Sequence, residues 1–215
     1  TKLGVVGAGQ MGQGIAQVAA QAGVDVTIVD AAPDFAIAGV GKIKKQLDRL
    51  VEKGKLDAAA RDKTLSHLKA GKVHGDLLEC DVVIEAAPEK EDIKLAIFKS
   101  LGEACKDEAI LASNTSSISI TKIAAASGRP DRVIGMHFMN PVPLMKLVEI
   151  VRGLPTSDAT VATVTACEAE GALLVIATGR PPRWIHAIGE RLGHQGMAVC
   201  ANGALVYDLE RQAVV

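Results

Sequence analysis

The chain has 215 residues, 48% of them hydrophobic and 23% charged, and a formal net charge of −1. This length fits one domain, or one domain with a fragment of another, and the near-neutral charge excludes the basic surface of a nucleic-acid-binding protein. No apolar run reaches the roughly 18 residues that a membrane-spanning helix needs, and no secretory leader precedes the first predicted strand. Four scattered cysteines are typical of reduced thiols. We therefore expect a cytoplasmic protein with no membrane or nucleic-acid partner.

Short aliphatic runs alternate with amphipathic segments along most of the chain. Strands are predicted at 2–6, 24–29, 81–85, 109–113, 132–136 and 147–151. Helices are predicted at 14–22, 93–105 and 118–127, with two more between residues 35 and 68 that part near Gly54. This alternation predicts an α/β fold with a doubly wound, Rossmann-type parallel sheet.

Three glycines follow the first predicted strand at the spacing GxGxxG, namely Gly7, Gly9 and Gly12. In a dinucleotide-binding turn the first glycine permits the tight bend and the second lets the backbone approach a pyrophosphate. The third allows the helix to pack closely against the strand. The N-terminus of the helix that follows supplies free N–H groups and the positive end of a dipole. A glycine-rich loop can also have this spacing without binding a ligand. The residues around the turn must therefore distinguish a plain loop from a dinucleotide-binding turn.

Asp30 is the neighbouring residue that favours a dinucleotide. It follows the second predicted strand, 18 residues beyond Gly12. A carboxylate at this point accepts hydrogen bonds from both ribose hydroxyls of NAD and repels the 2′-phosphate of NADP. No arginine stands in the positions just after Asp30. The sequence therefore predicts NAD as the cofactor.

Polar residues follow two later strands, at the edge where ligands bind in open α/β sheets. Ser113–Ser117 begins as one strand ends, and His137 comes directly after another. Glu149 stands twelve residues later, in the next strand, from which it could reach the imidazole. A carboxylate fixes the tautomer of a histidine and raises its basicity, which suits removal of a proton from an alcohol. With Asn140 nearby, we interpret His137 as a catalytic base rather than as a structural histidine.

Four segments carry a family resemblance. They are the glycine turn at 7–12, EAAPE at 85–89, SNTSS at 113–117 and HFMNPVPLMKLVE at 137–149. Together they resemble the 3-hydroxyacyl-CoA dehydrogenases, and the bacterial 3-hydroxybutyryl-CoA dehydrogenases look closest. The similarity covers roughly residues 2 to 165. It implies an NAD-dependent interconversion of 3-hydroxyacyl-CoA and 3-ketoacyl-CoA.

The resemblance implies a role for each residue of the catalytic segment. His137 would be the general acid/base, and Glu149 would be its orienting partner. Ser116 and Asn140 would lie near the substrate oxygen and the nicotinamide.

The same resemblance places the cofactor and the substrate. NAD would contact the glycine turn, with Gln10 and Met11 inside it, and also Asp30, Glu89 and Lys94. Lys53, in the predicted helical pair, would meet the phosphates of the acyl-CoA, although a lysine there is equally typical of a solvated helix face. No metal site is predicted.

The segment after residue 165 follows a different pattern. The dehydrogenases continue into a strand, a P-G-F-x-x-N-R motif and a helical domain, none of which is found here. Instead, ALLVIATGRP at 172–181 and CANGALVYD at 200–208 resemble the Cof-type phosphatases of the haloacid dehalogenase superfamily. In that family the threonine matching Thr178 touches the transferred phosphoryl group. The nucleophilic aspartate of its D-x-D-G-T motif has no counterpart in this sequence, which disfavours phosphatase activity.

We interpret the chain as a fusion joined within a helix at about residues 160 to 170. Residues 1–165 would form the NAD-binding dehydrogenase domain, with a helical insertion near 35–70, and would lack the family's C-terminal helical domain. Residues 166–215 would be a foreign α/β tail that packs on the sheet or completes it. Its predicted elements are strands at 173–177, 197–200 and 204–207 and a helix at 182–192.

Two functions stay open at this point. The first is the dehydrogenase reaction itself, and the alternative is a weak or silent NAD- or CoA-binding domain of a truncated or chimeric dehydrogenase. A homo-oligomer is also left open, although the usual dimerisation domain is missing.

The substitution Thr178→Ala is expected to leave any dehydrogenase activity unchanged, because no nucleophilic aspartate accompanies the threonine. The measurement compares both proteins for NADH formation and for phosphate release from a sugar phosphate with Mg²⁺. Phosphate release that disappears in the variant would show that the tail holds a working phosphatase site.

Overall fold

The computed structural model of the chain describes residues 1–166, 173–177, 197–200, 205–208, 210–211 and 213–214. Its strands are β1 (Lys2–Val6), β2 (Asp25–Val29), β3 (Leu68–Ala70), β4 (Val82–Glu85), β5 (Ile110–Ser113), β6 (Val133–Phe138), β7 (Leu147–Val151), β8 (Leu173–Ala177), β9 (Met197–Cys200), β10 (Leu205–Asp208) and β11 (Ala213–Val214). Its α-helices are α1 (Gln10–Gln21), α2 (Pro33–Glu52), α3 (Ala58–Ser66), α4 (Glu91–Ala104), α5 (Ile120–Ala126) and α6 (Asp158–Thr165). Two short 3-10 helices span His74–Leu77 and Pro130–Arg132.

The described strands form one sheet in the order β11-β10-β9-β8-β7-β6-β5-β4-β1-β2-β3. From β3 to β6 every neighbouring pair is parallel. The chain runs outward from β1 through β2 to β3 and then returns to place β4 on the other side of β1. This confirms the predicted doubly wound α/β fold. The reversal opens a crevice at the carboxyl ends of β1 and β4, where such folds bind ligands.

Strand β7 departs from the parallel order, because it runs antiparallel to β6. Only residues 139–146 connect the two strands, which is shorter than the crossover of a dozen or more residues that parallel neighbours need. Pairing with β7 also extends β6 to Phe138, two residues beyond the predicted end. His137 therefore lies within the strand, directly opposite Glu149.

Beyond β7 the sheet continues with strands from the tail. β8 runs parallel to β7, with Val175 opposite Glu149, and β9 runs parallel to β8. β10 and β11 then add antiparallel neighbours. The helix predicted at 182–192 and Thr178 lie outside the described residues.

Helices cover both faces of the sheet. One cluster of buried apolar side chains joins the sheet to α1, α2 and α6, and includes Ile15, Ile43 and Val161. The other joins it to α4 and α5, and includes Phe98 and Ile123. Burying each such side chain contributes about 1.5–3 kcal/mol, so the core fixes the strands that carry the polar edge. In the part of the chain that the structure describes, no helix is long and apolar enough to cross a membrane.

The two helices predicted between residues 35 and 68 are α2 and α3. Gly54 ends α2 with a φ of +65°, in the left-handed region that glycine adopts without strain. The side chain of Asp57 then caps α3 by accepting a hydrogen bond from the backbone N–H of Ala60. This pair projects from the end of β2, beside the glycine turn.

Gly12→Ala is expected to lower the free energy of unfolding by about 1–3 kcal/mol, because overpacking here forces the backbone apart. A Cβ on Gly12 would lie 1.8 Å from the carbonyl oxygen of Gly7. Gly9→Ala is the matched control, since a Cβ on Gly9 would meet no described heavy atom within 4 Å. Urea unfolding of the three proteins tests this. Equal losses in both variants would contradict the packing role of Gly12.

Candidate active site

The glycine turn between β1 and α1 brings three backbone segments together. Gly7 has a φ of +105°, and a Cβ there would lie 2.6 Å from the carbonyl oxygen of Ala86. Its N–H donates to the carbonyl oxygen of Val29 at 2.8 Å, which ties the turn to the end of β2. Gly9 faces open space on the side where a Cβ would stand. The turn is therefore tightly packed at Gly7, and at Gly9 it leaves space for the phosphates of a ligand.

Helix α1 begins at this opening. Its N-cap, Gly9, provides no side-chain cap, and the first turn carries no acidic residue. The first N–H groups of a helix have no partner within it, so those of α1 are left for an anion. At the same point the side-chain amide of Gln10 donates to Oδ1 of Asn140 at 3.1 Å. This contact joins the turn to the loop after β6.

Asp30 stands beside the turn, directly after β2. Its Oδ2 accepts a hydrogen bond from the N–H of Ala8 at 2.6 Å, and its Oδ1 accepts one from the N–H of Ala31 at 2.6 Å. A carboxylate has about four acceptor positions, so two remain for other donors. The backbone thus fixes the carboxylate and leaves it able to bind hydroxyl groups.

His137 and Glu149 form the other polar pair at this edge. Nδ1 of His137 lies 2.7 Å from Oε2 of Glu149, and the two side chains are 24% and 29% exposed. Direct cross-strand partners in an antiparallel pair project from the same face, which explains the contact. Because Glu149 engages Nδ1, the other ring nitrogen of His137 is left to face the cleft.

Glu89 is held by the polar loop after β5. One of its oxygens accepts hydrogen bonds from Thr115 Oγ1, from the N–H of Ser116 at 3.1 Å and from Ser117 Oγ at 3.2 Å. Its other oxygen lies 3.4 Å from the ammonium of Lys94. Burial raises the pKa of Glu89, but these hydrogen bonds and the Lys94 charge outweigh it, so the pKa lies below its ordinary value. Glu89 is therefore an anion at neutral pH.

His137 and Glu89 both line a cleft of about 300 Å³ at the carboxyl edge of the sheet. Its walls combine the ends of β4, β5 and β6 with the start of α1. The residues that line it are Met11, Ala86, Ala87, Glu89, Asn114, Ser116, His137, Phe138, Met139 and Asn140.

The amino-acid sequence matches a family model. The model, described as 3-hydroxyacyl-CoA dehydrogenase, NAD binding domain, matches residues 2–176. The chain belongs to this family. A second model, haloacid dehalogenase-like hydrolase, matches residues 153–215. Both resemblances seen in the sequence are thus confirmed, and the two matches share residues 153–176.

Known dehydrogenases are similar over the same part of the chain. The probable 3-hydroxybutyryl-CoA dehydrogenase of Deinococcus radiodurans is 55% identical over 169 residues, which are 76% of this chain and 59% of the relative. The 3-hydroxybutyryl-CoA dehydrogenase of Bradyrhizobium diazoefficiens is 54% identical over 159 residues, 74% of this chain and 54% of the relative. The crystal structure of (S)-3-hydroxybutyryl-CoA dehydrogenase from Ralstonia eutropha has 43% identity and a TM-score of 0.77, over 87% of this chain and 68% of that one. The chain therefore spans somewhat more than half the length of these curated relatives.

The cofactor of this dehydrogenase family is NAD, and the described residues fit it. The open side of Gly9 and the uncapped start of α1 suit a pyrophosphate. The two acceptor positions left on Asp30 suit the hydroxyls of a ribose. Glu89 and Asn114 line the cleft together with His137.

Lys94 and Lys53, which were predicted to bind the cofactor and the substrate, do not line this cleft. Lys94 is 1% exposed, and its ammonium bonds Glu85 at 2.6 Å, so it faces the interior rather than the open cleft. The sequence placed Lys94 close to the cleft, since its ammonium lies 3.4 Å from Glu89, but its position on α4 directs the side chain into the interior. Lys53 lines a second cleft of about 360 Å³ between α1, α2 and the loop after β6. Asn140 lines both clefts.

Two further residues of this edge were not singled out from the sequence. Asn114 lines the cleft, and its Oδ1 accepts a hydrogen bond from the N–H of Phe138 at 2.8 Å. The available signal was its position directly after β5. Glu85 is fully buried at the end of β4, and the signal was a carboxylate that closes an apolar run.

Asp30→Ala is expected to weaken NADH binding by about 1–3 kcal/mol, because the ribose hydroxyls lose a charged acceptor. The unmodified dehydrogenase domain is expected to bind NADH more tightly than NADPH, since the carboxylate repels a 2′-phosphate. Fluorescence titrations with both cofactors measure this. Equal or tighter NADPH binding by the unmodified chain would contradict the role of Asp30.

Proposed function

We propose that this chain is the cofactor-binding and catalytic part of an NAD-dependent dehydrogenase that interconverts 3-hydroxyacyl-CoA and 3-ketoacyl-CoA. The observation that carries the proposal is the 2.7 Å contact of Glu149 with His137, which lines the cleft. The substrate class is supported by the 54–55% identity to 3-hydroxybutyryl-CoA dehydrogenases, so 3-hydroxybutyryl-CoA is the first substrate to test.

In this proposal His137 moves the proton of the substrate hydroxyl. Glu149 holds the proton of the imidazole on Nδ1 and leaves Nε2 as the acceptor. When Nε2 takes the hydroxyl proton, the imidazolium that forms lies against a carboxylate, which stabilises the charge. NAD, when bound, would accept a hydride from the carbon that carries this hydroxyl. In the reverse direction the imidazolium returns its proton to the oxygen of the ketone.

Ser116 and Asn140 would position the reacting groups. Both line the cleft together with His137. Their hydroxyl and amide groups can bond the substrate oxygen and the carboxamide of the nicotinamide. Gln10 holds Asn140 through its 3.1 Å hydrogen bond, so the loop after β6 is fixed to the cofactor turn.

The second cleft would receive the CoA part of the substrate. It carries two cations one helical turn apart, Arg49 and Lys53, next to the apolar side chains of Leu50 and Val142. Cations of this kind suit phosphate groups. Because Asn140 lines both clefts, an acyl chain that leaves the second cleft would enter the first at His137.

We also infer how the chain is divided. Residues 1–165 would be the dehydrogenase domain, with the helical insertion near 35–70, and residues 166–215 would be a tail from a different family. The two model matches, 2–176 and 153–215, support this division. A cytoplasmic location suits such a protein, since Cys80 and Cys105 are both free thiols in the part of the chain that the structure describes.

A second candidate function is NAD and acyl-CoA binding with little or no turnover. The observation that favours it is the exposure of His137 and Glu149, which leaves both in contact with solvent. Exclusion of water and fixed substrate geometry contribute several orders of magnitude to such reactions. NADH absorbance after addition of NAD and 3-hydroxybutyryl-CoA separates the two functions.

His137→Gln is expected to lower the dehydrogenase rate by roughly 10²–10⁴-fold, because it removes the base. Glu149→Gln is expected to cost a comparable factor, since an amide does not stabilise the imidazolium. The double variant should be little slower than either single one, because residues that act as a unit are not additive. Initial rates of NADH formation give all three values, and NADH titrations should show nearly unchanged cofactor binding.

His67→Gln is the matched control for this series. Nδ1 of His67 lies 2.7 Å from Oδ1 of Asp25, so the control breaks the same kind of pair at the opposite edge of the sheet. Its rate is expected to equal that of the unmodified chain. An undiminished rate in His137→Gln would end the catalytic assignment, and multiplicative losses in the double variant would mean that the two residues act separately.

A further inference from the structure

A buried ion pair lies behind the cleft and takes no part in the proposed chemistry. Glu85 and Lys94 are 0% and 1% exposed, and their charged groups are 2.6 Å apart. Glu85 ends β4, where Val83 and Ile84 are buried apolar side chains. Two charges in such a place lose their hydration, and apolar residues of similar volume would often be at least as stable. The pair therefore calls for a role other than stability.

Both oxygens of Glu85 are fixed by groups from different elements. Oε1 accepts hydrogen bonds from the Lys94 ammonium at 2.6 Å and from the N–H of Ala87 at 2.7 Å. Oε2 accepts one from Ser113 Oγ at 2.6 Å. Glu85 thus has a single position, set by its own loop, by α4 and by the end of β5.

The ammonium of Lys94 transmits that position to the cleft. Its three donors face three acceptors, namely Glu85 Oε1 at 2.6 Å, the carbonyl oxygen of Ala87 at 3.3 Å and Glu89 Oε2 at 3.4 Å. Glu85 is the nearer of the two carboxylates, so it holds the cation back from Glu89. Glu89 is in turn divided between this cation and the polar loop at Ser116.

We propose that Glu85 is a positioning residue, which anchors the Lys94 ammonium and thereby sets where the Glu89 carboxylate stands on the wall of the cofactor cleft. The inference rests on the proposed role of this cleft. Without the charge of Glu85, Lys94 has Glu89 as its nearest anion and draws that carboxylate inward. Glu89 then leaves the hydrogen bonds with Ser116 and Ser117 that orient it toward a bound cofactor.

The test is a double-mutant cycle on NADH affinity. Glu85→Gln and Glu89→Gln are each expected to raise the Kd for NADH roughly 10-fold or more, as for the loss of a charged hydrogen bond. In the Glu89→Gln background, Glu85→Gln is expected to change the Kd less than about 2-fold, because its effect passes through Glu89. NADH fluorescence titrations of the full chain give the four constants, and the Kd for acetoacetyl-CoA should stay unchanged.

Glu91→Gln is the control, since Glu91 is an exposed acid at the start of the same helix and pairs with Lys122. It should bind NADH like the unmodified chain. If Glu85→Gln does not fold, Glu85→Gln/Lys94→Met is measured instead, which removes both buried charges and leaves no cation to draw Glu89 inward. Its Kd for NADH is expected to stay within roughly 3-fold of that of the unmodified chain, and a rise of roughly 10-fold or more would overturn the inference.

The measurements distinguish failure of the inference from failure of the proposed function. Independent losses in the cycle, or a parallel loss of acetoacetyl-CoA affinity, would overturn the inference and leave Glu85 a purely structural residue. An unchanged Kd for NADH in Glu85→Gln would overturn it as well. Failure of the unmodified chain to bind NADH would instead contradict the proposed function itself.

Discussion

His137 and Glu149 face each other because β6 and β7 run antiparallel with these two residues in register. Directly opposed residues in such a pair stand about 4.5–5.5 Å apart at Cβ, within reach of one hydrogen bond between their side chains. A slip of one residue would turn Glu149 to the opposite face of the sheet. The contact that orients His137, the proposed base, therefore depends on the register of the backbone hydrogen bonds between β6 and β7. The neighbouring strand β8, which pairs with β7 from the other side, holds that register in place.

The remaining polar groups of this edge are also held by backbone elements that the aliphatic core fixes. Asp30 is bonded by the N–H groups of its own loop and of the glycine turn. Glu85, Lys94 and Glu89 form a chain of charges that runs from the interior to the wall of the cleft. Charges buried in this way interact strongly and are little screened by salt. The cleft is thus preorganised, with few side chains free to move before a ligand arrives.

The tail joins this arrangement through an ordinary strand. β8 has the sequence LLVIA and runs parallel to β7, which asks mainly for aliphatic and β-branched residues. The two family matches overlap over residues 153–176, a segment that contains α6 and most of β8. A helix followed by an aliphatic strand satisfies either family's requirements at that point. This explains how a sheet can continue across two unrelated sequence patterns.

The family was recognisable from four short motifs, and three local features were predictable from the amino-acid pattern: the alternation of strands and helices, the glycine turn and Asp30 at the end of β2. These follow from backbone preferences and spacings within about 30 residues, which one chain segment carries alone. Folding of the whole chain sets the direction of β7, the contact of Gln10 with Asn140 across 130 positions and the burial of Lys94. It also brings Glu85 within reach of that lysine. Such features depend on which distant segments pack together and on how short a connection is, and a linear pattern does not contain that information.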